Sequence, residues 1–192
     1  MFRSLRILRA GLLVGCLGLG LASGAVAGPA PAQLQPNIQP SRPVDMQRLA
    51  GRWFEIARVP NAAESDCPFA TTDWQPLPGG KFRVTQTCSK GPDAPPGRVI
   101  HATADPLDPV GNTKWRMNYF GGLIRRDYWV LDYAPDGAWI ILGMPGKHYV
   151  WVLCRAPNTP QALREQFVQK IVALGYEGGR LVFPVQLAER GE

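Results

Sequence analysis

Side chains able to carry out catalysis or to hold a metal are few in this sequence. The two histidines, His101 and His148, stand apart from any group of histidines, cysteines and carboxylates with metal-ligand spacing. No Gly-x-Ser-x-Gly, Cys-x-x-Cys, dinucleotide-binding or phosphate-loop pattern is present. The sequence therefore predicts no metal site and no cofactor, and it favours a protein that is not an enzyme.

One carboxylate, Glu55, lies where ligand recognition is expected. Alternation gives its strand-like segment two faces, with Trp53, Glu55, Ala57 and Val59 on one and Arg52, Phe54, Ile56 and Arg58 on the other. Trp53, two residues after Gly51, suits a plug at one end of a closed barrel, so its face is predicted to point inward. A buried carboxylate is costly unless it is paired. We therefore expect Glu55 either to bond an interior arginine or tyrosine or to contact the polar head of a ligand.

The elements that position these residues begin after a leader. Three arginines precede an apolar, acid-free run over residues 10–27, which ends in a small-x-small site. We predict a signal peptide over residues 1–27, cleaved after Ala27. The alternative is a bacterial lipobox over residues 13–16, in which Cys16 becomes a lipidated N-terminus. Both alternatives stay open.

A proline-rich segment connects the leader to the folded part of the chain. Residues 28–43 hold five prolines and few bulky apolar groups, which predicts an extended linker. The remaining residues, 44–192, are predicted to form one domain. The formal charge of +6 includes three leader arginines, and the other basic residues form no run. Nucleic-acid binding is therefore not expected.

Turns rich in glycine and proline separate short β-prone runs from residue 44 onward. Eight strands are predicted, near Trp53–Val59, Phe69–Gln75, Lys81–Cys88, Arg98–Ala104, Lys114–Phe120, Tyr128–Tyr133, Ala138–Gly143 and Tyr149–Arg155. Short antiparallel connections predict an all-β, up-and-down barrel. One amphipathic helix follows, with Thr159 as its cap and Gly175 as its stop, and it is expected to pack outside the barrel. Arg180–Val185 is predicted as a last short strand.

Three stretches carry a family resemblance. They are Leu49–Arg58 in the first strand, Tyr128–Tyr133 in the sixth, and Tyr149–Pro157 before the helix. Together they resemble the motifs of lipocalins, specifically of bacterial outer-membrane lipocalins related to apolipoprotein D. The resemblance implies an eight-stranded antiparallel barrel with room for one small ligand and one C-terminal helix outside.

The resemblance also implies structural roles for several residues. Trp53, after Gly51, would close the base of the barrel, and Arg155 would lie across its ring, where a cation–π contact contributes about 0.5–2 kcal/mol. Asp132 and Tyr133 match the second motif loosely and are also taken as structural.

The cysteines are read in the context of an exported protein, in which disulfides are permitted. If the second and third strands turn at Pro78-Gly79, Cys88 lies opposite Phe69, with Cys67 two residues away on the same face. We predict a Cys67–Cys88 disulfide and a buried free thiol at Cys154. The alternative is that all three remain reduced.

The predicted function follows from the barrel and its inward face. Tyr149, Trp151 and Leu153 share one parity, and together with Glu55 they are predicted to line a cavity. We expect binding, transport or storage of a small lipophilic ligand, a fatty acid or a lysophospholipid, without chemistry. The protein is expected in the periplasm or at the outer membrane, where a lipidated Cys16 would give membrane association. We expect a monomer or a homodimer.

Two other functions remain open from the sequence. One is a lipid-modifying enzyme of the same fold, for which Glu55 and Cys154 are the candidate groups. The other is an envelope stress or structural protein whose interior is filled by side chains.

Overall fold

Eight strands form the body of the protein in the computed structural model, which describes residues 39–184. They are β1 (Gly51–Arg58), β2 (Phe69–Leu77), β3 (Lys81–Ser89), β4 (Pro96–Pro106), β5 (Lys114–Tyr119), β6 (Ile124–Tyr133), β7 (Trp139–Gly143) and β8 (Val150–Cys154). Each strand pairs antiparallel with the next, and β8 returns to β1. The predicted up-and-down barrel is confirmed, and its closure leaves no unpaired sheet edge.

The folded unit extends well beyond the strands. The barrel, the disulfide and both hydrophobic clusters lie within Gln35–Glu192, which form one compact unit. This unit therefore contains its own core and is expected to fold by itself. The predicted signal peptide, Cys16 and most of the predicted linker lie outside the described residues, as do residues 185–192.

A short helix, α1 (Met46–Leu49), precedes the barrel and was not predicted, because four residues are too few to show a helical period. The side chain of Asp45 accepts a hydrogen bond from the backbone N–H of Gln47 at 3.0 Å and caps it. Upstream, the N–H of Ser41 donates to the carbonyl of Val130 at 2.8 Å. The end of the segment predicted as a linker thus contacts the barrel.

A β-bulge in β1 changes which side chains face inward. Against β8, the register shifts between Glu55 and Ala57. Beyond this point Ala57 and Val59 join the cluster outside the barrel, and Arg58 comes to the side of Glu55. The predicted inward direction of Ala57 and Val59, and the predicted outward direction of Arg58, are wrong. The inserted residue reverses the alternation on which both predictions depended.

Large aromatic side chains fill the closed end of the barrel. Trp53 is 2% exposed, and it belongs to the same buried cluster as Trp74, Phe82 and Trp115. The rings of Trp74, Phe82 and Trp115 meet edge-to-face, with centroids 5.4, 6.1 and 5.5 Å apart. They form a solid floor, and any open space must lie toward the other end.

The helix α2 (Gln161–Ala173) packs on the outside of the barrel as predicted. Phe167 and Ile171 are fully buried against a cluster that includes Ile141, Val150 and Val152 of the outer barrel face. These contacts cover the part of the sheet that would otherwise expose apolar side chains to water.

The ends of α2 differ in part from the prediction. Its N-cap residue is Pro160 rather than Thr159, and no side chain caps it. At the other end Gly175 has φ of +84°, and the N–H of Tyr176 donates to the carbonyl of Ile171 at 3.1 Å, as in a Schellman motif. Within residues 180–184 there is no further strand, only a single antiparallel bridge between Arg58 and Val182. That bridge is too short to continue the sheet.

Candidate functional site

Beyond the aromatic floor the barrel is hollow. Its cavity has a volume of about 420 Å³, and residues of the β1–β2, β5–β6 and β7–β8 connections line its opening. Trp74 belongs both to the floor and to the cavity wall. The apolar wall continues through Ile100, Met117, Leu142 and Leu153. The barrel interior is therefore not filled by side chains, in contrast to the expectation for an envelope stress or structural protein.

All four residues predicted for the cavity are among those that line it. Glu55 and Leu153 are 7% and 5% exposed, while Tyr149 and Trp151 are half-buried near the opening. The ring centroids of Tyr149 and Trp151 lie 6.1 Å apart, and the ring of Trp151 lies 5.4 Å from that of Tyr128. Together these rings make one side of the cavity aromatic.

A buried polar cluster lies on the β1 side of the cavity. The carboxyl of Glu55 accepts a hydrogen bond from Nη1 of Arg58. Nη2 of Arg58 donates to the carbonyl oxygens of Glu64 and Cys67 at 2.8 and 3.0 Å. The indole N–H of Trp151 donates to Oε2 of Glu64 at 2.9 Å. One arginine thus ties the strand β1 to the loop that follows it.

The protonation of Glu55 follows from this setting. Burial raises the pKa of Glu55 well above its ordinary value, and the nearby Glu64 carboxylate raises it further, while Arg58 acts in the opposite direction. In its protonated form the Glu55 carboxyl can accept from Arg58 and donate to Glu64. Of the two expectations for Glu55, the bond to an interior arginine is the one present.

Two tyrosines and an arginine lie on the β5–β6 side. The hydroxyls of Tyr119 and Tyr128 are 3.3 Å apart, and burial raises the pKa of both groups, that of Tyr128 well above its usual range. They remain neutral hydroxyls near pH 7. Arg126 also lines the cavity, yet its side chain reaches solvent at the opening. The prediction missed Arg126, although it lies two residues before Tyr128 on the same face of β6.

The residues predicted as structural lie at the closed end. Cζ of Arg155 is 3.5 Å from the ring centroid of Trp53, and its guanidinium donates to three backbone carbonyls of residues 48–52 at 2.6–2.7 Å. Gly51 has φ of +91°, and a Cβ there would lie 3.4 Å from Nη1 of Arg155. Neither Trp53 nor Arg155 is among the residues that line the cavity.

The second-motif residues connect the barrel to its surroundings. Oδ2 of Asp132 accepts from Nζ of Lys170 on α2 at 2.8 Å, and its Oδ1 accepts from the N–H of Tyr133 at 2.9 Å. The hydroxyl of Tyr133 donates to the carbonyl of Pro43 at 2.8 Å, and the guanidinium of Arg42 stacks on its ring. These contacts hold the helix and the N-terminal segment against the barrel.

The predicted disulfide between Cys67 and Cys88 is confirmed, with a Cα–Cα distance of 5.5 Å. The predicted register is wrong by one residue: Cys88 pairs with Ala70 rather than Phe69. The reason is the β2–β3 connection, which uses the three residues Pro78–Gly80. Both cysteines line the cavity near its opening.

Cys154 is a buried free thiol, as predicted. It belongs to the outer cluster beneath α2, whereas its neighbour Leu153 points into the barrel. Burial raises the pKa of Cys154 to about 12, so the thiol stays protonated. Cys154 and Glu55 therefore lie on opposite faces of the sheet and do not form a common reactive site.

Two further classes of site are absent from the described residues, 39–184. No cluster of three or more histidine, cysteine or acidic side chains suited to a metal occurs among them. Over the same range, none of the helices has the length and apolar character needed to span a bilayer.

Comparison with known proteins assigns the family. The lipocalin-like domain matches residues 44–186. The chain belongs to the lipocalin family. It is 28% identical over 147 residues to temperature-induced lipocalin-1 of Arabidopsis thaliana, covering 72% of this chain and 77% of that protein. It is 21% identical over 178 residues to outer membrane lipoprotein Blc of Vibrio cholerae, covering 91% of this lipocalin and 93% of that protein.

A solved structure agrees with this lipocalin in fold. Lobster apocrustacyanin A1 superimposes with a TM-score of 0.52 at 16% identity, covering 74% of this chain and 79% of that one. At that identity the likeness concerns the fold alone. Lipocalins are generally carriers of ligands rather than enzymes, so family and cavity together support binding of a small hydrophobic molecule.

Proposed function

We propose that this lipocalin binds one single-chain lipid, a fatty acid or a lysophospholipid, and transports or stores it without chemical change. The observation that carries the proposal is the open-ended cavity of about 420 Å³ above a solid aromatic floor. Small-molecule sites in proteins have volumes of about 300–1,000 Å³ and mostly apolar walls. An acyl chain would lie along Met117, Leu142 and Leu153, with its head at the opening.

The expected affinity follows from the buried area. Burial of a chain of about fourteen carbons contributes on the order of 10 kcal/mol at ~0.8 kcal/mol per methylene. Association opposes this by about 4 kcal/mol or more. The remaining ~6 kcal/mol corresponds to a Kd of tens of micromolar, and a head-group contact worth ~1–2 kcal/mol brings it to about micromolar.

The polar groups favour one position for the head. Glu64, in the polar cluster on the β1 side, would repel an anionic group. Arg126 on the β6 side would attract it, and the neutral hydroxyls of Tyr119 and Tyr128 nearby can donate to its oxygens. We therefore place the carboxylate or phosphate of the ligand beside Arg126.

The test is a fluorescence titration that measures the affinity of the protein for dansyl-labelled undecanoic acid and for the uncharged methyl ester of this acid. The unit Gln35–Glu192 is expected to bind both. Arg126→Gln should weaken binding of the acid about fivefold, as removal of a solvent-exposed ionic contact of ~1 kcal/mol does, and leave the ester nearly unchanged. Arg125→Gln is the matched control, because Arg125 does not line the cavity.

The outcomes separate cavity binding from head-group recognition. Failure of the unsubstituted protein to bind either probe would reject the carrier function. Binding of both probes with equal effects of Arg126→Gln and Arg125→Gln would retain the cavity but reject the position of the head. Hydrolysis or other turnover of the probe would favour an enzyme instead.

We also propose export to the periplasm or outer membrane and membership of the apolipoprotein D-like, outer-membrane subgroup. The similarity to a protein named an outer membrane lipoprotein, over 91% of this chain, supports this, as does the disulfide. Mass spectrometry of the protein from its own cell envelope would reveal either an acylated Cys16 or an N-terminus at Gly28. An unprocessed chain recovered only from the cytosol would reject the proposal.

A further inference from the structure

The β5–β6 turn exposes apolar side chains beside the cavity opening. Phe120, Leu123 and Ile124 are 62%, 88% and 41% exposed. Phe120 has φ of +51°, a backbone conformation that bulky residues rarely adopt, and Gly121 and Gly122 also have positive φ. The turn therefore holds apolar groups in water and does so with an unfavourable backbone. Such an arrangement marks a contact surface.

Two positively charged residues follow these apolar groups directly in the sequence. Arg125 and Arg126 follow them and are both exposed, and the turn itself holds no acidic residue. The next residue, Asp127, is already engaged by the guanidinium of Arg116 at 2.8 and 2.9 Å. The turn thus presents apolar side chains at its tip and arginines next to them. This arrangement is complementary to a layer with an apolar interior and an anionic boundary.

We propose that this turn (residues 120–126) docks on an anionic phospholipid surface, with its apolar side chains among the lipids and its arginines at the head groups. A stable protein interface buries about 800 Å² per partner, far more than one narrow turn provides. Apolar groups that enter a bilayer boundary to a depth of ~5–10 Å suit a turn of this size. Because Phe120 and Ile124 also line the cavity, docking places the cavity opening against the membrane.

This interaction is separate from the proposed function, because it requires no ligand in the cavity. Two side chains of the turn allow membrane docking to be tested separately from ligand binding. Leu123 and Arg125 belong to the turn but do not line the cavity. Val110, 89% exposed in the β4–β5 connection at the opposite end of the barrel, is a matched control for Leu123.

The experiment is co-sedimentation of the unit Gln35–Glu192, which lacks Cys16, with vesicles of phosphatidylcholine alone or mixed equally with phosphatidylglycerol. We expect binding to the anionic vesicles only. Leu123→Asp should weaken it at least about tenfold, since it removes an inserted leucine, and Arg125→Gln about fivefold. Val110→Asp should change vesicle affinity less than about twofold, because Val110 lies at the end of the barrel away from the membrane. Leu123→Ser serves as a second variant, and dansyl-undecanoic acid binding checks that each cavity is intact.

Equal binding by the Leu123→Asp and unsubstituted proteins would overturn the proposal, as would equal binding to both kinds of vesicle. So would a loss of binding in Val110→Asp as large as in Leu123→Asp. Absence of vesicle binding, together with self-association that Leu123→Asp abolishes, would assign the turn to contact with a second copy of this chain and overturn lipid docking.

Discussion

Substitution of Arg155 by lysine tests whether the closed end of the barrel depends on a stacked, multiply bonded guanidinium. The side chain donates to three backbone carbonyls of residues 48–52 at 2.6–2.7 Å and stacks on Trp53 at 3.5 Å. Lysine keeps the charge, but one ammonium on a flexible stem cannot stack flat and reach all three oxygens together. The substitution therefore removes the stacking and part of the hydrogen bonding, while the positive charge is conserved.

The expected cost can be worked from these contacts. Loss of two hydrogen bonds from a half-exposed charged donor costs about 1 kcal/mol each, and loss of stacking costs about 0.5–1 kcal/mol. The free energy of unfolding should thus fall by about 2–3 kcal/mol. For a domain of this size each kcal/mol lowers Tm by about 2–4 °C, so we expect a decrease of about 4–12 °C.

The assay is thermal unfolding followed by circular dichroism, with Arg52→Lys as the control. Arg52 contacts Asp73 at 3.0 Å, but its side chain is 62% exposed, so this pair should contribute less than about 1 kcal/mol. If Arg155→Lys melts with the unsubstituted protein, or if both variants lose the same stability, the reasoning from stacking and carbonyl bonding is wrong.

Two more predictions concern the cavity side of the barrel. Cys67 and Cys88 are 21 residues apart, and reduction of their disulfide should lower the free energy of unfolding by about 3 kcal/mol in urea denaturation. The same reduction of the Cys154→Ser variant is the control for an effect of the free thiol. An unchanged urea midpoint after reduction would contradict the prediction. Because the pKa of Glu55 is raised in the folded state, its contribution to stability is complete below the ordinary pKa and is lost as pH rises through the folded value. Glu55→Gln should therefore gain stability relative to the unsubstituted protein as pH rises above the ordinary glutamate pKa of about 4.3. Parallel urea curves for the two proteins at every pH of a series that starts near pH 4 would refute this.

The strand order and closure of this lipocalin could be predicted from local chemistry. Glycine and proline punctuate the sequence where the barrel turns, and alternation placed Tyr149, Trp151 and Leu153 on the cavity side. Alternation failed only where the backbone departs from its period. The bulge after Glu55 brings Arg58 inward, and no pattern in residue types marks that insertion in advance.

Loop residues were beyond prediction for a different reason. Glu64 enters the cavity because Arg58 holds the carbonyl of Glu64 and Trp151 holds its carboxylate. Both contacts depend on the bulge and on strand pairing between β1 and β8, which are nearly a hundred residues apart in the chain. A side chain positioned by distant partners leaves no periodic trace in its own segment.

The hollow half of the barrel has a cause that the sequence does contain. Inward positions of β2 grow from Ala70 through Thr72 to Trp74 as the strand runs from the opening to the floor. Neighbouring β3 begins at the floor with Phe82 and continues to the smaller Val84. Because a barrel of eight strands is just wide enough for side chains to fill it, the size of these residues decides which layer is solid and which is open. The cavity is thus specified by side-chain volume at alternate positions, independently of the polar groups that would select its ligand.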